Sequence, residues 1–317
     1  MIDLEQVGFI GSRLHRPECV LARADGTLHV SDWRGGVTVI NSKGAMHTVL
    51  ASGNFRPKPN GIAILREGGW LVTHLGDKGG GVYRLGLNGD LTPFLLEVEN
   101  IDLPPTNYVH VDERGRAWVT VSTRLRPRDL GYRANCSDGF IVLVDEAGAR
   151  IVADGLGYTN ECHVDPRTNE LFVNETFARR LSRFKIDEDG SLSEKTIIAE
   201  FGEGEYPDGL TLDASGGIWV TCIISNRVIR VDRSGKKEII LQDSDPDHIA
   251  WTEKAYVTNQ LGRSHLDKPV GNKLRNISSL AFGGADLKTV YLGCLQGDSI
   301  ATFRTERAGF AAHHWAL

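Results

Sequence analysis

Six polar residues, Glu18, Asn60, Asn107, Asn160, Asp208 and Ser278, each lead a recurring pattern and lie 42, 47, 53, 48 and 70 residues apart. Together they offer two carboxylates, three amides and a hydroxyl, with no imidazole or thiol among them. If a fold gathers them, the carboxylates repel, so one takes up a proton or a cation sits between them. Donors that are all oxygen suit a hard divalent ion, calcium foremost, with magnesium or manganese next. Zinc is a less natural guest, because it favours imidazole and thiolate. A purely structural polar plug is the alternative such a ring leaves open.

The elements that must position these residues are visible as repeats. The pattern is a polar residue, a short apolar strand, a polar turn and a second strand. It reads PECVLARADGTLHVSD from Pro17, PNGIAILREGGWLVTH from Pro59, TNYVHVDERGRAWVTV from Thr106, TNECHVDPRTNELFVN from Thr159 and PDGLTLDASGGIWVTC from Pro207. A sixth unit, ISSLAFGGADLKTVYLG, begins at Ile277. Alternation, β-branched and aromatic residues, and turns such as Asp25-Gly26 and Asp189-Gly190 mark strands and hairpins. About four strands per unit of ~40–50 residues is the measure of a propeller blade. The expectation is an all-β, six-bladed β-propeller of four-stranded blades over residues 1–317. Its ring would be closed by the N- and C-terminal segments, VGFIG completing the last blade. The stretch Pro246–Gln260 imitates a unit start, with Asp247 at the polar position, so it is either an inserted hairpin or a seventh blade.

Innermost strands line the axis, so the leading residues would converge at one height. Because side chains alternate along a strand, Val20, Ile62, Val109, Cys162, Leu210 and Leu280 would form an apolar ring beneath them. That is a mouth with a dry floor, the default shape of a binding site.

The remaining composition narrows the field. The 317 residues are 41% hydrophobic and 24% charged, as in a globular chain with a core. A net charge of −5 without Lys/Arg clusters argues against nucleic acid and anionic membranes as partners. No apolar run is long enough for a bilayer span and no secretory leader is visible. Five scattered cysteines fit a reducing, cytoplasmic address.

The motifs Pro17-Glu18, Pro59-Asn60-Gly61, Thr106-Asn107, Thr159-Asn160 and Pro207-Asp208-Gly209-Leu210, with the closing SLAFGGADLKTVYLG, run in order at blade spacing. In these the chain resembles the senescence marker protein / gluconolactonase / luciferin-regenerating enzyme family over essentially its whole length. The resemblance implies a divalent metal held by Glu18, Asn160 and Asp208, with Asn107 beside it as ligand or substrate contact. It implies hydrolysis of a lactone (a sugar lactone or a related small ester ring), with Asp208 as the candidate general base. Two departures bear on the substrate. Pro17-Glu18-Cys19 stands where family lactonases commonly show Glu-Gly-Pro, and Pro104, Pro105 and Thr106 precede Asn107 where sugar-handling members can carry an arginine.

A compensating group is sought in the excursion from Ser122 to Phe140, which holds Arg124, Arg126, Arg128, Arg133 and Tyr132. Arg124 and Asn60 are taken as substrate contacts, and the loop as either a lid or a solvated surface segment. His74, His110 and His163 are read as structural histidines and Cys162 as a small buried hydrophobe. Trp33, Trp70, Trp118 and Trp219 are expected to pack between blades. The competing functional reading is a non-catalytic calcium- or ligand-binding propeller. A third, a strictosidine-synthase-like condensing enzyme, would not need the metal ligands.

Overall fold

In the computed structural model, which describes residues 1–268 and 271–317, the chain forms six four-stranded antiparallel sheets. Each is a blade whose first strand is innermost. Those inner strands are Val20–Ala22, Ile62–Ile64, Thr106–Val111, Thr159–Asp165, Glu205–Leu212 and Ile277–Gly283. Blade 6 takes its fourth strand from the other end of the chain: Gly8–Ile10 pairs antiparallel with Ile300–Arg304. The expected closure is therefore as the sequence suggested, and the inner strands of blades 6 and 1 lie side by side.

The wedge between blades is filled by large side chains. Trp70, Trp118 and Trp219 are fully buried on the second strands. Trp33 is not: it stands partly exposed at the end of the ring that carries Glu18, against the expectation that all four pack between blades. Two of the buried tryptophans are fixed by the preceding turn. The carboxylate of Asp112 accepts from the Arg114 and Arg116 amides and from Trp118 Nε1 at 2.9 Å. That of Asp213 accepts from the Ser215 and Gly217 amides and from Trp219 Nε1 at 3.1 Å, with Arg230 Nε at 2.6 Å. One acidic residue thus ties a hairpin turn to the core. Asp213→Ala is expected to cost about 3 kcal/mol, since it strands Arg230 and several buried N–H donors. An unchanged urea midpoint would remove that role.

The stretch Pro246–Gln260 forms neither an inserted hairpin nor the start of a seventh blade. Pro246–Val257 is an α-helix, capped by the Asp245 carboxylate, which accepts from the Asp247 and His248 amides at 3.0 and 3.1 Å. A proline at the first helical position after an aspartate is a good start signal. Asp247 therefore belongs to a helix N-terminus and not to the axial ring. A second short helix, Arg263–Leu266, follows. Among the described residues no helix is long and apolar enough to cross a membrane.

Candidate functional site

In four inner strands the register slips at the leading polar residue: between Thr106 and Tyr108, Thr159 and Cys162, Pro207 and Leu210, and Ile277 and Leu280. A bulge frees backbone groups from the ladder and re-aims side chains. The freed groups are claimed mainly by the blade before. Thr73 Oγ1 donates to the Asn107 carbonyl at 3.0 Å, and Thr176 Oγ1 to that of Pro207 at 2.8 Å. Asn174 Nδ2 donates to the Asp208 carbonyl at 3.0 Å and Thr221 Oγ1 to that of Ser278 at 2.8 Å. Ser278 Oγ then donates to the Glu18 carbonyl at 2.9 Å, joining blade 6 to blade 1. Each candidate residue so fastened is positioned by a neighbour, and only a closed ring holds them all.

The bulges also correct the picture of a dry floor. Val20, Ile62, Val109, Cys162, Leu210 and Leu280 are all buried, but strict alternation does not govern this stretch. The in-between residues Cys19, Tyr108, Glu161 and Ser279 reach the axial cavity as well. Glu161 is a carboxylate that sequence reasoning missed, one position after the candidate ligand Asn160. Its Oε2 accepts from the Leu210 amide that the bulge released, at 3.0 Å. Burial pushes its carboxyl well up, and Asp208 and Glu18 add to the effect. Glutamine keeps the size of Glu161 and an oxygen that accepts from the Leu210 amide, so Glu161→Gln is expected to change stability by no more than about 0.5 kcal/mol. Glu161→Ala orphans the Leu210 N–H and is expected to cost about 1–3 kcal/mol. Equal denaturation midpoints for the two variants would contradict this.

The expected metal ligands come together. The Asp208 carboxylate is hydrogen-bonded by the Asn160 amide, and burial followed by the Glu18 charge drives its pKa well up. Arg16 and Arg128 pull in the other direction. Arg16 Nε sits 3.0 Å from Glu18 Oε2. Asn160 also donates to Thr176 Oγ1 at 2.9 Å. The side-chain oxygens of Asn60 and Asn107 are buried without any donor. Two repelling carboxylates beside orphaned amide oxygens are a donor set that a hard cation would satisfy. Among the described residues no group of three or more His, Cys, Asp or Glu is placed to hold a metal ion, so such a site depends on the amides.

The excursion of blade 3 roofs this end. Arg126 Nη1 donates to the Lys78 carbonyl of blade 2 at 2.8 Å. Tyr132 is buried against Tyr158 and Phe177, with ring centroids 5.3 and 4.6 Å away. The helical insert completes the roof: Tyr256 donates to the Phe177 carbonyl at 2.6 Å, and Arg179 pairs with Glu253. Arg124, however, is not the arginine of the mouth. Its guanidinium is bidentate to Asp154 at 2.8 Å and lies over the Phe140 ring, partners on the outer two strands of the same blade. Arg128 is the one turned inward, its Nη1 3.3 Å from Tyr158 Oη and its charge felt by Glu18 and Asp208. A cleft of about 280 Å³ remains open between Trp33, Lys58, Pro105, Arg128 and Arg263.

The histidines have structural partners. His74 Nδ1 accepts from the Lys58 amide at 2.9 Å, and the His110 and His163 rings pack tilted by 36° with centroids 4.5 Å apart. Cys162 is buried and burial pushes its thiol well up, so it is no nucleophile. At the far end of the axis, Phe310, Ala312, His313, His314 and Trp315 lie across the cavity, whose free space is about 40 Å³.

A six-bladed propeller with an acid–amide mouth under a roof is the class of molecule these observations define. The chain belongs to the SMP-30/gluconolactonase/LRE-like family, whose model matches residues 16–260. It is 29% identical over 207 residues to 6-deoxy-6-sulfogluconolactonase of Pseudomonas putida, covering 62% of this chain and 65% of that enzyme. With pentonolactonase XacC of Haloferax volcanii it shares 28% over 164 residues, 51% of this chain and 44% of the other. The chain thus spans less than two thirds of either relative. Among solved structures, a luciferin-regenerating enzyme superposes with a TM-score of 0.71 at 14% identity, over 98% of this chain and all of that one. A gluconolactonase from Xanthomonas campestris gives 0.68 at 17%, over 94% and 89%. The calcium-binding protein regucalcin from Agrobacterium tumefaciens also gives 0.68 at 17%, over 98% and 97%. These likenesses establish the fold.

Proposed function

We propose that this chain hydrolyses a lactone at the roofed mouth, using a divalent cation for which Glu18, Asn160 and Asp208 are the ligands. The observation that carries the reading is the buried pair Glu18 and Asp208 beside the donorless oxygens of Asn60 and Asn107. Lactonases among its relatives support the reaction class. When bound, the ion would polarise the lactone carbonyl or acidify a water. Asp208 accepts the proton of the attacking water as the new C–O bond forms. The same proton then goes to the ring oxygen as the old C–O bond breaks, leaving a hydroxy acid. Asn60 and Asn107 offer acceptors to substrate hydroxyls. The open cleft favours an enzyme over a propeller that merely stores an ion. Calcium is the first candidate, with magnesium, manganese and zinc behind it. Five free cysteines support a reducing compartment such as the cytoplasm.

A pH-indicator assay over a panel of aldonolactones, with chelator and with each metal restored, tests this. Turnover that chelator abolishes and one metal restores is expected. Full activity after exhaustive chelation would defeat the metal mechanism, and no turnover of any lactone would defeat the reaction class.

A further inference from the structure

Arg128 lies over the mouth, and among the described residues no carboxylate pairs with its guanidinium. Its hydrogen bond is to Tyr158 Oη at 3.3 Å, a long one for so strong a donor. The other cations of the cleft are committed. Lys58 Nζ pairs with Asp77 at 3.1 Å, Arg263 Nε with Asp267 at 3.1 Å, and Arg16 Nε with Glu18 at 3.0 Å while lying 4.3 Å over the Trp33 ring. Asp129 also lines the cleft, but successive side chains on a 3-10 turn stand about 120° apart, so it does not share the direction of Arg128. Arg263 adds a second guanidinium close enough to act electrostatically on Arg128. Trp33 presents a flat apolar face here and a buried Nε1 donor with no acceptor. A cleft with an uncommitted guanidinium fork and the Arg263 guanidinium near it has positive charge to spare and lacks an oxyanion acceptor. The fork matches carboxylate, phosphate or sulfonate with two parallel hydrogen bonds.

We infer that the substrate carries a second, negatively charged group, bound by Arg128 in the cleft beside Trp33. This rests on the lactonase reading and names its substrate class: an acidic lactone rather than a neutral aldonolactone.

The test compares kcat/KM for neutral glucono-1,5- and glucono-1,4-lactone with 6-phosphoglucono-1,5-lactone and glucaro-1,4-lactone, which separates phosphate from carboxylate. At least one acidic lactone is expected to exceed the neutral ring of its size by about tenfold or more, the lower end of what a charged hydrogen bond contributes. Arg128→Gln should erase that ratio and Arg128→Lys keep part of it. Circular dichroism and calorimetric metal titration show that the variants are folded. Turnover of neutral lactones with no acidic preference overturns the inference and leaves the lactonase reading standing. Equal losses on both classes in Arg128→Gln also overturn it, because Arg128 would then serve the carboxyl that the reaction itself makes. If no lactone is turned over, the lactonase reading falls. Calorimetric binding of 6-phosphogluconate and glucarate then decides, and affinity undiminished in Arg128→Gln refutes the inference.

Discussion

Asp208→Asn is expected to lower lactone hydrolysis at least ~100-fold even at saturating metal, the low end of what losing a general base costs. The substitution keeps the shape of the side chain while removing one charge and the proton acceptor. Asn160→Ala removes a neutral ligand and leaves the charge of the site untouched. Metal affinity should therefore fall further for Asp208→Asn than for Asn160→Ala. The Asp208 carbonyl is held by Asn174 and the Pro207 carbonyl by Thr176, both of the preceding blade, so Asp208→Asn should leave the bulge in place. Metal titration by calorimetry separates the ligand role from the base role. Full activity of Asp208→Asn at saturating metal would leave Asp208 as a ligand alone.

The second large effect is on pH. Burial and the neighbouring Glu18 raise the Asp208 pKa in the metal-free fold, so over the window between the ordinary aspartate range and that raised value the folded state holds a proton the unfolded chain has released. Stability of the chelated protein should be greatest at the acid end of this window and fall as pH rises through it. A cation must displace that proton, so its apparent affinity should climb with pH up to about tenfold per unit and level off above the raised value. In Asp208→Asn both slopes should flatten, and the chelated variant should melt at least about 2 °C above the parent at neutral pH. Metal affinity independent of pH across the window would show that Asp208 binds no proton there.

Much of this was legible because a propeller repeats. The six leading residues and their order were readable from Pro17-Glu18 to Ser278, and the closing strand at Gly8–Ile10 followed from the ring. What hid was what repetition does not encode. Bulges at Asn107, Asn160, Asp208 and Ser278 break the two-residue period, so Glu161 looked like an off-axis residue and instead enters the axial cavity. The insert after blade 5 carries its start signal, Asp245-Pro246, but a strand pattern imposed from the neighbouring units obscured it. Arg124 and Arg128 are equivalent in composition. Only the tertiary placement of Asp154, Asp138 and Tyr158 decides which of them looks inward.

The C-terminal segment has a bearing on traffic. With Phe310 to Trp315 across the far end and about 40 Å³ of space left along the axis, the ring is a blind well, with room there for a water or two but not for a sugar. On the proposed lactonase reading, substrate and hydroxy acid would share the cleft between Trp33 and the roof. A shared passage would make product a direct rival of incoming substrate, and turnover is then expected to slow as the pool of acid builds.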